Sequence, residues 1–87
     1  YVRRYEAKFG PGSRTLFGAT AWDAWLILER AIPIALKTAQ PGTVEFRRAL
    51  RDAMEQTREL VGTQAVFNLS PTDHSGGDQR GQVLVQI

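Results

Sequence analysis

One stretch of the chain holds the residue types that acid–base or metal chemistry needs. Asp73-His74-Ser75-Gly76, followed by Asp78, gathers two carboxylates, the only imidazole and a hydroxyl. An Asp–His or Asp–Ser pairing would be part of a hydrolase triad. The strand-to-helix nucleophile turn Gly-x-Ser-x-Gly occurs nowhere in the chain. A single histidine excludes a multi-histidine zinc site, and no acid stands where a calcium loop must end. The competing reading is a turn. Asp73 and Ser75 can accept hydrogen bonds from nearby amides, and Gly76-Gly77 can take positive φ. The turn is the stronger reading.

Two further groups invite a binding role. Arg47, Arg48, Arg51 and Arg58 could contact phosphates. They alternate with Asp52, Glu55 and Glu59, as on an ordinary solvated helix face, and no aromatic residue interleaves them for base stacking. Nucleic-acid binding is therefore not expected. The other group is Leu16-Phe17-Gly18, just ahead of a long apolar segment carrying Trp22 and Trp25. Amides at a helix start can receive a carboxylate, and Phe17 could pack on an apolar ligand there. The tryptophans read more naturally as core.

The elements that would position these residues follow from periodicity. Val2 to Phe9 reads as a short helix with Val2, Tyr5 and Phe9 on one face, stopped by Gly10-Pro11-Gly12. Arg14 to Phe17 reads as a loop or extended segment. A second helix spans about Ala19 to Thr38 and is apolar on nearly all sides. Ala24, Trp25, Ile27, Leu28, Ala31, Ile32, Ile34, Ala35 and Leu36 cover a wide arc, so burial on most sides is expected. Pro33 should bend it, and Trp22, Leu26 and Pro33 fall on its polar side.

A third helix spans about Thr43 to Val61. Its stripe is Phe46, Ala49, Leu50, Ala53, Met54, Thr57, Leu60 and Val61, with Thr43 as N-cap and Gly62 as stop. Arg48–Asp52 and Arg51–Glu55 have the spacing of helical ion pairs. Gln64 to Leu69 alternates as a strand, Ser70 to Gly81 is a polar loop, and Gly81 to Ile87 alternates as a second strand. The fragment is thus α+β, three helices followed by two strands. Two strands alone make a poor sheet. They should pair outside the chain or across a homodimer.

The 87 residues are 43% hydrophobic and 23% charged, with 11 basic and 9 acidic side chains and no cysteine. Disulfides and thiolate metal sites are excluded, and so are collagen-like and disordered classes. The longest charge-free apolar run, Ala24 to Leu28, is far short of the ~20 residues of a membrane span. The chain opens at Tyr1 without an initiator methionine and stops inside the alternating run ending Val85-Gln86-Ile87. It is read as one fragment, residues 1–87, of a larger protein.

Four pieces in order carry a resemblance. They are Tyr5-Glu6-Ala7-Lys8-Phe9-Gly10, Ala19-Thr20-Ala21-Trp22-Asp23-Ala24, Phe46-Arg47-Arg48-Ala49-Leu50-Arg51-Asp52-Ala53, and Val66-Phe67-Asn68-Leu69-Ser70-Pro71-Thr72-Asp73-His74-Ser75-Gly76. Together they resemble the C-terminal region of the substrate-binding proteins of branched-chain amino acid ABC transporters, the leucine/isoleucine/valine-binding family of type I periplasmic binding proteins. Trp22 departs from the tyrosine that this family usually carries before Asp-Ala.

The resemblance implies an α/β parent of two lobes that closes on a small-molecule ligand, with this chain as a late piece of one lobe. It implies a periplasmic, non-enzymatic protein with no cofactor, whose partners are that ligand and a transporter permease. By position, Phe17 matches an aromatic that faces the ligand cleft, and Asp73-His74-Ser75-Gly76 matches a turn without a catalytic role. With only one wall around Phe17, the fragment alone is not expected to hold the ligand. Cut from its parent, it is expected to form a homodimer, with exchange of an element between protomers that pairs the terminal strand with Gln64–Leu69. The alternative is a free-standing α+β interaction module.

Overall fold

In the computed structural model, which describes residues 1–87, the first element is α1, Val2–Phe9. Its organising contact is an aromatic ladder. Tyr1 and Tyr5 lie with ring centroids 5.4 Å apart, and Tyr5 and Phe9 4.7 Å apart. Tyr1 also meets Trp22 at 6.0 Å, which joins α1 to the next helix. Gly10, at φ 96°, ends α1 in a conformation that side-chain-bearing residues rarely adopt, and its N–H donates to the Glu6 carbonyl.

The second helix, α2, runs Leu16–Ala35 and starts earlier than its sequence suggests. Thr15 is the N-cap, and its Oγ1 accepts the Gly18 N–H at 3.1 Å. The segment Arg14 to Phe17 is therefore not a loop throughout: Leu16 and Phe17 form the first helical positions. The helix continues through Pro33 to Ala35 and closes in turns, with Thr38 and Ala39 N–H groups donating to the Ala35 carbonyl. Asp23, Ala31 and Ala35 are buried, whereas Trp25 and Pro33 are exposed. No helix is long and apolar enough to cross a membrane.

The third helix, α3, is Val44–Glu55. Thr43 caps it as expected, accepting the Phe46 N–H at 3.1 Å. Its C-terminus lies well short of Val61. Gln56 and Thr57 N–H groups tighten onto the Ala53 and Met54 carbonyls, and Glu59 takes φ 47°. Leu60 and Val61 are consequently not part of the helical stripe. They form β1, paired antiparallel with β2, Val66–Phe67, in the register Leu60↔Phe67 and Val61↔Val66. Gly62 is a hairpin residue, not a helix stop. The order of three helices and two strands holds, but the second expected strand does not form. Residues 79–81 make a short 3-10 turn, and 82–87 form neither helix nor strand and are exposed.

The foreseen pairing of that terminal segment with Gln64–Leu69 meets an obstacle. Phe67 is bridged to Leu60 on one side and to Gly77 on the other, so this chain already uses both edges there.

The principal helix contact is α2 against α3, and the buried apolar residues are Ala31 and Ala35 on α2, Ala53 on α3, and Leu69. Only 7 of 87 residues are buried, and the radius of gyration is 15.5 Å, against about 12 Å for a compact chain of this length. The body is a slab, 17 Å along its shortest axis. Arg47, Arg48 and Arg51 are in solvent, as expected of an amphipathic α3. The ion pair they make differs: Arg51 Nη2 binds the adjacent Asp52 at 2.6 Å, in place of the two i, i+4 pairs.

Thr57 is fully buried, and its hydroxyl has no hydrogen-bond partner. A buried hydroxyl without a partner costs about 1–3 kcal/mol. Thr57→Val keeps the shape and the β-branch while removing the hydroxyl. It is expected to raise stability by about 1 kcal/mol, read as an upward shift of the denaturant midpoint; a lowered midpoint would show that the hydroxyl is satisfied in solution.

Candidate functional site

Three places hold polar or aromatic residues in a defined setting. The first is Phe17, in the opening turn of α2. Its side chain is 83% exposed. The helix start there is partly capped, because Gly18 gives its N–H to Thr15 Oγ1.

The second lies between α2 and the hairpin. Asp23 is only 3% exposed although it carries a carboxylate. Its Oδ1 accepts the Thr63 N–H at 2.6 Å, and its Oδ2 accepts the Gln64 N–H at 3.1 Å. Around it, Gln64 Nε2 donates to Thr20 Oγ1 at 2.9 Å, and the Thr63 hydroxyl reaches the Ala19 carbonyl at 3.4 Å. The carboxylate thus brackets the hairpin turn onto α2. Both oxygens are engaged by backbone donors, so Asp23 serves as a fastener and not as a general base. Nothing in the sequence around Asp23 marks it as a buried carboxylate. Its partners lie 40 and 41 residues downstream.

The third is the Asp73–Gly76 segment. It is a turn, as the residue types suggested. Asp73 Oδ1 accepts the N–H groups of Ser75 at 3.0 Å and Gly76 at 3.1 Å. Gly76 supplies the positive φ of 69°, and Gly77 does not. His74 points away from Asp73 chemistry: its Nε2 lies 3.0 Å from Glu55 Oε1 at the end of α3. The two flank a groove of about 290 Å³ floored by Leu50, Met54 and Leu69. No group of three or more His, Asp or Glu residues is arranged to hold a metal ion. Further along, Asp78 is gripped by Arg80, whose side-chain and backbone hydrogen bonds hold its carboxyl below the usual range. Arg80 also reaches Glu59 at 2.9 Å, tying the loop back to the hairpin.

Arg58 is exposed, as expected, but it lies beyond the end of α3 and its guanidinium is engaged. Its Nη1 donates to the carbonyls of Glu55 and Thr57 at 2.9 and 2.8 Å, and to that of Leu69. One guanidinium closes the end of α3 and holds the strand that follows β2. Arg58→Ala is expected to lower stability by about 2 kcal/mol, because charge-assisted bonds to carbonyls are lost together. All three bonds come from the one nitrogen Nη1, so Arg58→Lys, whose ammonium also offers three donors, should recover part of the loss. Equal melting curves for the parent and Arg58→Ala would refute this role.

With this geometry in place, the comparisons with known proteins can be stated. No protein-family profile matches the chain, and no curated protein matches it. Solved structures do. An extracellular ligand-binding receptor from Rhodopseudomonas palustris superposes with a TM-score of 0.85 and is 46% identical over 92% of this chain. A second such receptor, from Rhodopseudomonas palustris HaA2, gives 0.83 and 46% over 91%. Another from HaA2 gives 0.79 and 43% over 91%. In each case the chain spans 22% of the relative's own length. Over this stretch the chain is homologous to extracellular ligand-binding receptors. Its three helices and hairpin match part of a periplasmic-binding-protein-like fold.

Proposed function

We propose that these 87 residues are one late piece of a lobe of a type I solute-binding protein, residing in the periplasm. The whole protein captures a small ligand, a branched-chain amino acid or a related carboxylate or amide, and delivers it to an ABC transporter permease. The observation that carries this reading is the 46% identity and TM-score of 0.85 to an extracellular ligand-binding receptor over 92% of the chain. The extracellular character of the relatives supports the location. Their description as receptors supports a non-enzymatic role.

Phe17 is the residue proposed to face ligand. It is displayed at the start of α2 and occupied by nothing in this chain. In the receptor-length protein, Phe17→Ala is expected to weaken binding by about tenfold, the loss of one apolar contact worth about 1.4 kcal/mol. Its melting temperature without ligand should be unchanged. The test is calorimetry of that protein with leucine, isoleucine, valine and their amides and keto-acid analogues. Binding by one of these supports the reading. Absence of heat with all of them, or turnover of any, would defeat it. Separated from its parent, the chain is proposed to form a homodimer through its exposed apolar residues, which sedimentation equilibrium would show as a 174-residue species, twice the 87 of one chain.

A further inference from the structure

The groove of about 290 Å³ between α3 and the Asp73–Gly76 turn has no part in the function proposed above. Its helical wall follows from spacing. Arg47, Leu50, Arg51, Met54 and Glu55 stand at i, i+3, i+4, i+7 and i+8, which sets them on one face of α3. Arg47 opens this row and Glu55 closes it, about 12 Å further along the helix axis. Between them Leu50 and Met54 are only half-buried, and Leu69 is buried behind them.

The charges along the row are not balanced. Glu55 is taken by His74 at 3.0 Å, and Arg51 by Asp52 at 2.6 Å. Arg47 is exposed, and no carboxylate of the chain lies within ion-pairing distance of it. The groove is therefore an apolar strip with an uncompensated cation at one end and a closed ion pair at the other.

We propose that this groove binds a small amphipathic monoanion, a carboxylate on a short unbranched apolar chain. The Arg47 guanidinium pairs with the carboxylate, whose planar geometry its fork of N–H donors matches. The chain lies along Leu50, Met54 and Leu69. Three observations select this class. The volume stands at the lower edge of small-molecule sites, which run from about 300 to 1,000 Å³, and is too small for a partner helix. One uncompensated cation matches one negative charge, whereas a phosphate dianion would keep a charge without a partner. Met54 gives the floor a flexible, polarizable side chain that fits itself to an apolar guest. Phe17 does not line this groove, so the site is separate from the one proposed above and does not depend on the ligand assigned there.

Met54 is the only methionine, so a ¹³C-methyl methionine label reports the groove floor as a single signal. In the 87-residue chain, octanoate should move that signal saturably. Octanol, which has the chain without the charge, and acetate, which has the charge without the chain, should each bind about tenfold more weakly or worse. Arg47→Glu should weaken octanoate about tenfold, the loss of one charge-assisted contact. Arg48→Glu makes the same change of charge on a neighbour that does not line the groove, and should leave octanoate binding unchanged. A signal that octanoate does not move overturns the proposal, as does octanol binding as tightly as octanoate, or equal weakening by Arg47→Glu and Arg48→Glu. A signal that moves on dilution of the protein and not with octanoate gives the groove to a second copy and also overturns it. Should the Met54 methyl stand at its unfolded position, the same titrations are made in a chimera of the Rhodopseudomonas palustris receptor carrying these residues in the matched segment. Met54→Leu identifies the signal there, and the same outcomes decide. Octanoate that moves Met54 in a protein binding none of the amino acids or analogues would defeat the ligand proposed above and leave this site standing.

Discussion

Asp23→Ala is expected to cost about 3 kcal/mol of stability, a large share of what a small domain possesses. The carboxylate is 97% removed from solvent by its 3% exposure, yet every part of it is used. It accepts the amides of Thr63 and Gln64 at 2.6 and 3.1 Å. Removing it leaves two part-buried turn amides without that acceptor, and each such loss costs about 1–3 kcal/mol. It also frees the hairpin from α2, since the neighbouring links, Gln64 to Thr20 and Thr63 to Ala19, are exposed and contribute less. Asp23→Asn should fall between the parent and alanine. It retains one acceptor oxygen, but its amide group turns a donor toward a donor. Chemical denaturation gives the order, parent above Asn above Ala. Hydrogen exchange at Thr63 and Gln64 gives the cause, with faster exchange confined to those amides in Asn. An alanine variant as stable as the parent would show that the bracket is not a source of stability.

How much of this arrangement the residues announce in advance depends on the range of the interaction. Thr43 and Gly10 act on amides and carbonyls within four residues, and both ends they define are where the sequence places them. The turn at Asp73 is equally local. The end of α3 is not. Ala53, Thr57, Leu60 and Val61 keep helical spacing, so periodicity alone carries the helix through to Gly62. What stops it is the Leu69 N–H donating to the Thr57 carbonyl at 3.0 Å, together with the Arg58 Nη1 bonds to the Glu55 and Thr57 carbonyls and Glu59 at φ 47°. None of these has a signature in a single run of residues. The terminal Val83-Leu84-Val85 alternates like a strand, but alternation supplies only a face; a strand also needs a neighbour for its amides. Val83 is 89% and Val85 84% exposed, so here that neighbour is missing. Asp23 was hidden for the same reason as the end of α3, its partners being distant in sequence. Phe17 was visible as an exposed aromatic beside a helix start, although the helix begins one residue before it and not two after.

Gly62→Ala is expected to cost about 2–3 kcal/mol through overpacking, and to do so in a way that depends on Asp23. Gly62 does not have positive φ, so backbone freedom is not the reason for glycine. Space is. A Cβ built there would lie 2.6 Å from Phe67 Cε2, 2.8 Å from Asp23 Cγ and 2.9 Å from Asp23 Oδ1. The ring is held by the pairing of Phe67 with Leu60, and the carboxylate by its two amide bonds, so neither can yield without losing a contact. In an Asp23→Ala background, two of those three contacts disappear. The cost of the Gly62→Ala change should then shrink by about 1 kcal/mol, the coupling typical of side chains in direct contact. Asp23→Asn is the better background if the alanine variant is unfolded, and there the Gly62→Ala penalty should remain, because the side chain keeps its size. A double-mutant cycle by denaturation measures the difference. Equal penalties in the parent and Asp23→Ala backgrounds would mean that Phe67 alone sets the limit, and that the close fit between the α2 carboxylate and the hairpin is not what demands a glycine.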